Sequence, residues 1–215
     1  MKYLIDHRFA TSVERTTRVL EIAESFGLGL SDKIFVIYDK LELEVEQGDV
    51  VYITGQSGSG KSLLLRDLAE QMAAEGKDVI NLNEIVFEER PVIDLVGKTT
   101  TDAANLLAQA GISDAYLYLR TPSQLSDGQL YRLKLAKLIE SGADVWVADE
   151  FGAILDRITA KVVAFNLQKM ARRLGKTFMI ATTHTDLTED LNPSLTIVKR
   201  FREKIEIKRI GDEVL

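Results

Sequence analysis

Residues 55–62 of the sequence, GQSGSGKS, restrict the fold of this chain more than any other segment. An apolar run, residues 50–54, comes before them, and a leucine-rich run, residues 63–68, comes after them. This order predicts a strand, a glycine-rich loop and a helix. The G-x-x-x-x-G-K-[ST] spacing lets successive backbone N–H groups surround an anion, and the helix adds the positive end of its dipole. A surface turn of glycine and serine is the alternative, but both flanking runs favour a loop that binds the phosphates of a nucleoside triphosphate.

Two side chains of this loop have predicted chemical roles. Lys61 can reach the β- and γ-phosphates, which gives it a part in catalysis, and the Ser62 hydroxyl can bind Mg²⁺. ATP and GTP both satisfy the motif. The residues predicted to bind the nucleotide here are Gly55, Gln56, Ser57, Gly58, Ser59, Gly60, Lys61, Ser62 and Leu63.

The composition is that of an ordinary globular protein and excludes several kinds of site. The 215 residues are 46% hydrophobic and 28% charged, which suits one α/β domain with a full core. The absence of cysteine excludes disulfides and thiolate metal sites, and two histidines make a histidine zinc site improbable. With no apolar run of about 18 residues and no signal peptide, we expect a cytoplasmic protein. A net charge of −6 gives no overall support for nucleic-acid binding.

Strands alternate with helices along most of the chain, which predicts an α/β fold with a mainly parallel core sheet. The apolar run at residues 34–38 and the alternating polar and apolar residues at 41–46 predict two strands, and the alternation indicates an antiparallel β edge subdomain. A helix is predicted over residues 13–26. Its apolar face consists of Val19, Ile22, Ala23 and Phe26, and Gly27 and Gly29 follow it.

The whole chain, residues 1–215, is predicted as one domain, in which residues 83–141 form a small embedded helical subdomain. Residues 114–121 are compatible with a helix or a loop. The other predicted helices are 62–75, 102–110, 126–141 and 157–174. The other predicted strands are 79–82, 145–148, 177–182, 195–199 and 205–210.

Asp149 and Glu150 directly follow the apolar run at residues 145–148. The carboxyl end of a parallel strand is where α/β proteins place their ligand chemistry. Asp149 can hold Mg²⁺ opposite Ser62, and Glu150 can take the proton from an attacking water. Alone, such an acid pair is usually a solvated turn. The phosphate loop in the same chain favours the catalytic interpretation.

Residues 125–129, LSDGQ, place a serine at the predicted start of a helix, where a hydroxyl, backbone N–H groups and the helix dipole can face an anion. An isolated pentapeptide of this kind would be a plain N-cap turn. Ser126 lies 65 residues after Lys61 and 23 before Asp149. In that position the segment resembles the LSGGQ signature of the ATP-binding cassette (ABC) superfamily, with Asp127 in place of the first glycine.

The resemblance extends over most of the chain. Residues 149–156, DEFGAILD, match the D-E-x-x-x-x-L-D run of the family, and Thr183-His184 follows a predicted strand as the family's switch histidine does. On these motifs the chain is identified as a member of the ABC-type ATPases, with the P-loop NTPase fold.

The resemblance implies an ATP-dependent homodimer in which two copies pair head to tail. Each ATP then lies between the phosphate loop of one copy and the signature helix of the other. Glu150 would be the general base, and His184 would sense the γ-phosphate. Asp149 would hold Mg²⁺ together with Ser62. The residues implied to act across the interface are Ser126, Asp127, Gly128 and Gln129 of the signature and Asp156 of the D-loop.

Two further parts of the family pattern are less distinct in this chain. The family stacks adenine on an aromatic residue upstream of the phosphate loop, for which Phe26 is predicted and Phe35 is the alternative. The family also carries a Q-loop glutamine, but residues 80–101 contain none, and Asn83 and Glu84 are the positional candidates.

In transporters the Q-loop region receives the membrane subunits. The lack of a recognisable Q-loop glutamine therefore favours an ATPase that drives or gates a soluble protein partner. Residues 89–97, 125–129 and 145–151 together resemble those of stand-alone ABC-type ATPases, some of which are fused to a GNAT-type acetyltransferase domain. The alternative is the nucleotide-binding subunit of a membrane transporter with separately encoded transmembrane chains.

A P-loop kinase would leave residues 125–129 and Asp156 without roles. The basic turn at residues 199–204 gives weak support for nucleic acid, because such turns are usually solvated surface.

Overall fold

The computed structural model describes residues 1–201 and 204–210. They divide into two units, Met1–Glu44 and Val45–Leu215. That residues 1–215 form a single domain stays a prediction.

The first unit is a pair of antiparallel strands, β1 (Lys2–Thr11) and β2 (Lys33–Glu44). Residues 34–38 and 41–44 are strand and belong to an antiparallel sheet, as predicted, but they form one continuous strand rather than two. Strand β1 was not predicted. Pairing passes from Ile5–Leu41 to His7–Tyr38, so β2 has one extra residue there. Lys40 adopts a φ of 47° at this bulge. At the bulge, Asp39 and Lys40 separate the apolar run 34–38 from the alternating residues that follow, so the sequence pattern indicated two strands.

Helix α1 (Thr17–Phe26) joins these strands. It begins at Thr17 rather than at residue 13, because the Thr16 side chain accepts a hydrogen bond from the N–H of Val19 and caps the helix. Gly27 ends it in the left-handed conformation, as predicted. The predicted apolar face is not buried as a whole, since Ala23 is buried whereas Phe26 is 71% exposed.

The second unit contains a six-stranded sheet in the order β4-β5-β6-β3-β7-β8. All neighbouring strands are parallel except β7 and β8, so the predicted α/β fold with a mainly parallel sheet is confirmed. The strands are β3 (Val50–Gly55), β4 (Val79–Asn81), β5 (Val145–Ala148), β6 (Thr177–Thr182), β7 (Leu195–Lys199) and β8 (Glu206–Arg209).

The helices of this unit are α2 (Lys61–Ala74), α3 (Thr100–Gln109), α4 (Ala115–Tyr118), α5 (Asp127–Glu140), α6 (Arg157–Leu174) and α7 (Thr188–Leu191). Helices α2, α3 and α5 differ from the predicted bounds by one or two residues at their ends, α6 has the predicted bounds, and α7 was not predicted. The ambiguous segment at residues 114–121 contains a short helix. Short 3-10 turns occur at Leu82–Glu84, Val92–Asp94 and Pro122–Gln124.

The core of the second unit lies between the central strands and helices α3, α5 and α6. Every residue of β5 and β6 is buried, which explains their apolar sequences. Because β3, β5 and β6 are parallel, their carboxyl ends lie at one edge of the sheet, and the predicted site residues follow these ends. Within residues 1–201 and 204–210, the helices are all too short or too polar to span a membrane.

Candidate functional site

The phosphate loop connects β3 to α2 and takes its shape from its glycines. Gly60 caps α2 with a φ of 100°, a conformation that only glycine adopts readily. The loop therefore leads directly into the N-terminus of a helix of 14 residues, whose first N–H groups have no partners within the helix. Ser59 Oγ is buried and has no hydrogen-bond partner in the described part of the chain. Such a site offers donors and a dipole to an anion.

Gly55 is the last residue of β3 and lies against the backbone of β7. The two strands are in register, with Gly55 opposite Lys199. A Cβ atom at Gly55 would lie 1.9 Å from the carbonyl oxygen of Lys199, and the φ of Gly55 is 139°. No other residue fits here without moving the strand, so this glycine sets the starting point of the loop.

Lys61 is the first residue of α2 and is only 8% exposed. Its Nζ donates to the carbonyl oxygen of Gln56 at 2.7 Å, so the ammonium group lies inside the loop. Burial lowers the pKa of Lys61, while the carboxylates of Asp149 and Glu150 act in the opposite direction. The lysine and the two acids thus affect one another electrostatically, as the sequence motifs predict.

A cavity of about 1000 Å³ joins the phosphate loop to the acidic end of β5. Its volume is of the size that small-molecule sites have. The predicted residues that line it are Ser57, Gly58, Gly60, Lys61, Ser62, Leu63, Asp149 and Glu150. Glu84 and Thr183 also line it.

Asn83 holds the backbone of Asp149 through both groups of its amide. Its Nδ2 donates to the carbonyl oxygen of Asp149 at 3.2 Å, and the N–H of Asp149 donates to Oδ1 of Asn83 at 3.0 Å. Lys134 of α5 donates from Nζ to the carbonyl oxygen of Asn83 at 3.3 Å. Asn83 therefore links the signature helix to the acidic strand end. The sequence named Asn83 only as a positional candidate, because its partners are distant along the chain.

Glu150 has a φ of 48°, a left-handed conformation that is uncommon for residues other than glycine. Its N–H donates to Oδ1 of Asp149 at 2.9 Å. The next residue, Phe151, is tied to β6, since its N–H donates to the Ala181 carbonyl at 3.0 Å and its own carbonyl accepts from Thr182 Oγ1 at 3.0 Å. The chain turns sharply at Glu150 and leaves this side chain exposed.

The signature segment begins α5 with a capping box. The side chain of Ser126 accepts from the N–H of Gln129, and the N–H of Ser126 donates to Oε1 of Gln129 at 2.9 Å. Asp127 is the first helical residue, and Gly128 lies against Leu155. A second cavity, of about 290 Å³, is lined by Asp127 together with Asn83, Lys134, Asp149 and Glu150. The helix start thus lies near the acidic strand end of its own chain.

Asp156 and His184 take part in local structure. Asp156 caps α6, with its carboxylate accepting from the N–H of Thr159 at 2.9 Å and from the Thr159 hydroxyl at 2.5 Å. The backbone carbonyl of His184 accepts from the hydroxyls of Tyr52 and Thr54. His184 is partly buried and follows β6 as predicted, but in the described part of the chain Thr183, not His184, lines the large cavity.

The remaining candidates are Phe26, Phe35 and the basic turn at residues 199–204. Phe26 and Phe35 belong to the first unit, where Phe35 stacks on Phe9 at a centroid distance of 5.3 Å. Their predicted contact with adenine stays a prediction. In the basic turn, Arg200 pairs with Glu206 at 2.6 Å, which neutralises part of its charge. Arg202 lies outside the described residues.

Comparison with known proteins gives consistent relatives. The sequence model of the ABC transporter family matches residues 38–94. The aliphatic sulfonates import ATP-binding protein SsuB 2 of Rhodococcus jostii (strain RHA1) is 30% identical over 175 residues, which cover 74% of this chain and 70% of that protein. The methionine import ATP-binding protein MetN of Myxococcus xanthus (strain DK1622) is 29% identical over 198 residues, or 75% of this chain. The match spans 59% of the length of that MetN protein.

The fold is that of a solved ATP-binding cassette. The ATP-binding cassette MJ0796, in a dimeric post-hydrolysis state bound to ADP and Pi, superposes with a TM-score of 0.68 at 16% identity. The superposition covers 98% of this chain and 99% of the other. The SsuB 2 relative, together with the phosphate loop and the acidic strand end, shows that the chain belongs to the ABC transporter family.

Proposed function

We propose that this chain is the nucleotide-binding subunit of an ABC transporter, in which two copies close on two ATP molecules and reopen after hydrolysis. The observation that carries the nucleotide site is the cavity that joins the phosphate loop to Asp149 and Glu150. Lys61 lies buried in the loop, and the two acids line the same cavity.

The donor groups of the site suit Mg²⁺. The Ser62 hydroxyl and the Asp149 carboxylate are hard oxygen ligands and line the same cavity. A magnesium ion held there would offset the negative charge of the phosphates. Asn83 contributes by holding the backbone of Asp149 in place.

The residues of the chain have distinct proposed roles in hydrolysis. The N–H groups of the loop and the Lys61 ammonium bind the phosphates. Glu150 accepts a proton from the attacking water. The hydrogen bonds that hold the backbone of Asp149 before it and of Phe151 after it orient its side chain. His184 senses the γ-phosphate, and its backbone is held by Tyr52 and Thr54.

A second copy is proposed to complete each site. Ser126, Asp127, Gly128 and Gln129 of that copy would cover the phosphates, with Asp156 crossing the interface. The start of α5 supports this proposal, because a helix of 14 residues offers a strong dipole end to an anion. A single protomer would then hydrolyse ATP poorly.

The import proteins among the relatives support a transporter subunit better than the soluble partner that the absence of a Q-loop glutamine suggested. Asn83 offers an amide in that region, and its bond from Lys134 connects α5 to the site. The absence of glutamine at residues 80–101 therefore does not remove a link between the signature helix and the acidic strand end.

The test is purification of the tagged Glu150→Gln variant from detergent-solubilised membranes of its source cells, in Mg-ATP. We expect a membrane-spanning protein at a fixed stoichiometry. Lys61→Ala serves as the matched control, because it removes the phosphate contact without changing the surface. Recovery of a soluble protein at fixed stoichiometry instead would contradict the transporter assignment and restore the soluble partner.

A further inference from the structure

Phe201 lies two residues after β7 and beside the start of the phosphate loop. Its backbone N–H donates to Oε1 of Gln56, the second residue of the loop, at 3.2 Å. Its side chain is nevertheless 56% exposed. The structure therefore holds the backbone of an aromatic residue next to the loop and leaves much of the ring accessible.

The position of this residue follows from the pairing of β3 with β7. Gly55 lies opposite Lys199, and the close approach at this pair leaves no room for a side chain. The turn that contains Phe201 begins at the next residue. Arg200 and Glu206 form an ion pair across this turn at 2.6 Å. The turn that carries the ring therefore follows β7 at the same edge of the sheet from which the phosphate loop emerges.

The sheet order places Phe201 and the acids on opposite sides of the loop. Strands β6 and β5 lie on one side of β3, and β7 lies on the other. Asp149 and Glu150 follow β5, so a bound triphosphate would direct its terminal phosphate toward the magnesium site proposed there. Its ribose and base would then leave the loop on the β7 side.

We propose that Phe201 stacks on the base of the bound nucleotide. The inference rests on the proposed function, since it takes the triphosphate to lie in the loop. An aromatic ring stacks on any nucleobase through its π-face, so Phe201 provides affinity for the base without choosing between adenine and guanine. It would do so from a turn downstream of the loop, whereas Phe26 and Phe35 lie upstream in the first unit.

The experiment is calorimetric titration of the full chain with ATP and, separately, with inorganic tripolyphosphate, which has no base. Phe201→Ala should weaken ATP binding by about 5-fold or more and leave tripolyphosphate binding unchanged. Phe201→Trp should retain the affinity for ATP, because tryptophan also stacks. Phe165→Ala is the matched control, since Phe165 is a similarly exposed phenylalanine on α6 and its loss should change neither affinity.

Three results would overturn the inference. Phe201→Ala could bind ATP as the wild type does, or it could lose ATP and tripolyphosphate equally, which would mean that the turn supports the loop and not the base. Alternatively, Phe26→Ala could lose ATP selectively while Phe201→Ala does not. Failure of the proposed function looks different, because the wild type would then bind neither ligand, or Lys61→Ala would bind both normally, and the inference would fall with it.

Discussion

Glu150 shows how a single residue can be held in a strained conformation at a site. Asn83 fixes the backbone before it through Asp149, and β6 fixes the backbone after it through Phe151. A left-handed residue of this kind persists only where its surroundings over-determine it, and such residues concentrate at functional sites. The conformation therefore supports Glu150 as the group that faces the attacking water.

Replacing Glu150 with glutamine should remove hydrolysis and retain binding. Glutamine has the same shape but cannot accept the proton, so we expect kcat to fall by about 100-fold or more while the Kd for ATP stays within a factor of about three. A phosphate-release assay and a binding titration measure the two quantities. Glu88→Gln, at an exposed position, is the matched control. An unchanged kcat would show that Glu150 is not the base.

Asn83 is a positioning residue in this account. Asn83→Ala removes both bonds to the Asp149 backbone, and we expect ATPase activity to fall by about 10-fold or more, as loss of a group behind a metal ligand usually does. The requirement for Mg²⁺ should rise, because Asp149 is less well placed, while the affinity for tripolyphosphate without metal should not change. Asn105→Ala, at an exposed position on α3, is the control. An equal effect of both variants on Mg²⁺ dependence would refute the special role of Asn83.

Gly55 should tolerate no side chain. Gly55→Ala would place a Cβ atom against the Lys199 carbonyl in an unfavourable φ, so we expect the free energy of unfolding to fall by about 2 kcal/mol or more. Gly58→Ala is the comparison, because Gly58 also has a positive φ but no heavy atom within 4 Å of the added group. Urea unfolding compares the two. Equal losses of stability would mean that the contact with β7 is not tight.

At the scale of the element, the start of helix α6 allows the capping role of Asp156 to be tested separately from its proposed role at the interface between two copies. Asp156 caps this helix, and the side chain and N–H of Thr159 lower the pKa of its carboxyl group below 3.8. Its stabilising effect is therefore full above this ordinary value and is lost as the pH falls through the lowered pKa.

Asp156→Ala should lower the melting temperature at pH 7, and the deficit should shrink below pH 3.8. Asp156→Asn should keep nearly all of the stability, because asparagine caps helices about as well as aspartate. If Asp156 also crosses the interface, Asp156→Asn should still weaken ATP-driven dimerisation. Thermal melts and mass measurements check both points. A stable Asp156→Asn protein with normal dimerisation would leave capping as the whole role.

The elements that the sequence predicted well carry their signals locally. Helix α6 agrees with the prediction at both ends, because its N-cap, its period and the glycine that ends it lie within 20 residues. Strand β6 was equally clear, since a buried parallel strand reads as a continuous apolar run. The bulged strand β2 was predicted as two strands, because Asp39 and Lys40 separate its apolar half from its alternating half.

The site was predictable where a motif encodes it and not where distant segments meet. The glycines, Lys61 and the acid pair follow from spacing alone. The amide clip from Asn83 and the place of Phe201 depend on contacts 66 and 145 residues apart, which no local pattern indicates. The exposure of Phe26 also depends on packing, and the period of α1 suggested the opposite.

At the scale of the whole molecule, the central claim is that each site needs a second copy. One chain carries both a phosphate loop and a signature helix, and the start of that helix shares a cavity with Asp149 and Glu150 of its own chain. In the proposed head-to-tail pair, the signature helix instead serves the nucleotide of the partner. ATP binding should then control association.

The most direct test is the mass of Glu150→Gln in solution with and without Mg-ATP. Without its base, this variant should bind ATP but not reopen, so we expect a monomer without nucleotide and a dimer with Mg-ATP. The double variant that combines Lys61→Ala with Glu150→Gln should stay monomeric in both conditions. A Glu150→Gln protein that binds Mg-ATP at saturation and remains monomeric would contradict the account, because the second half of the site would not come from another copy of this chain.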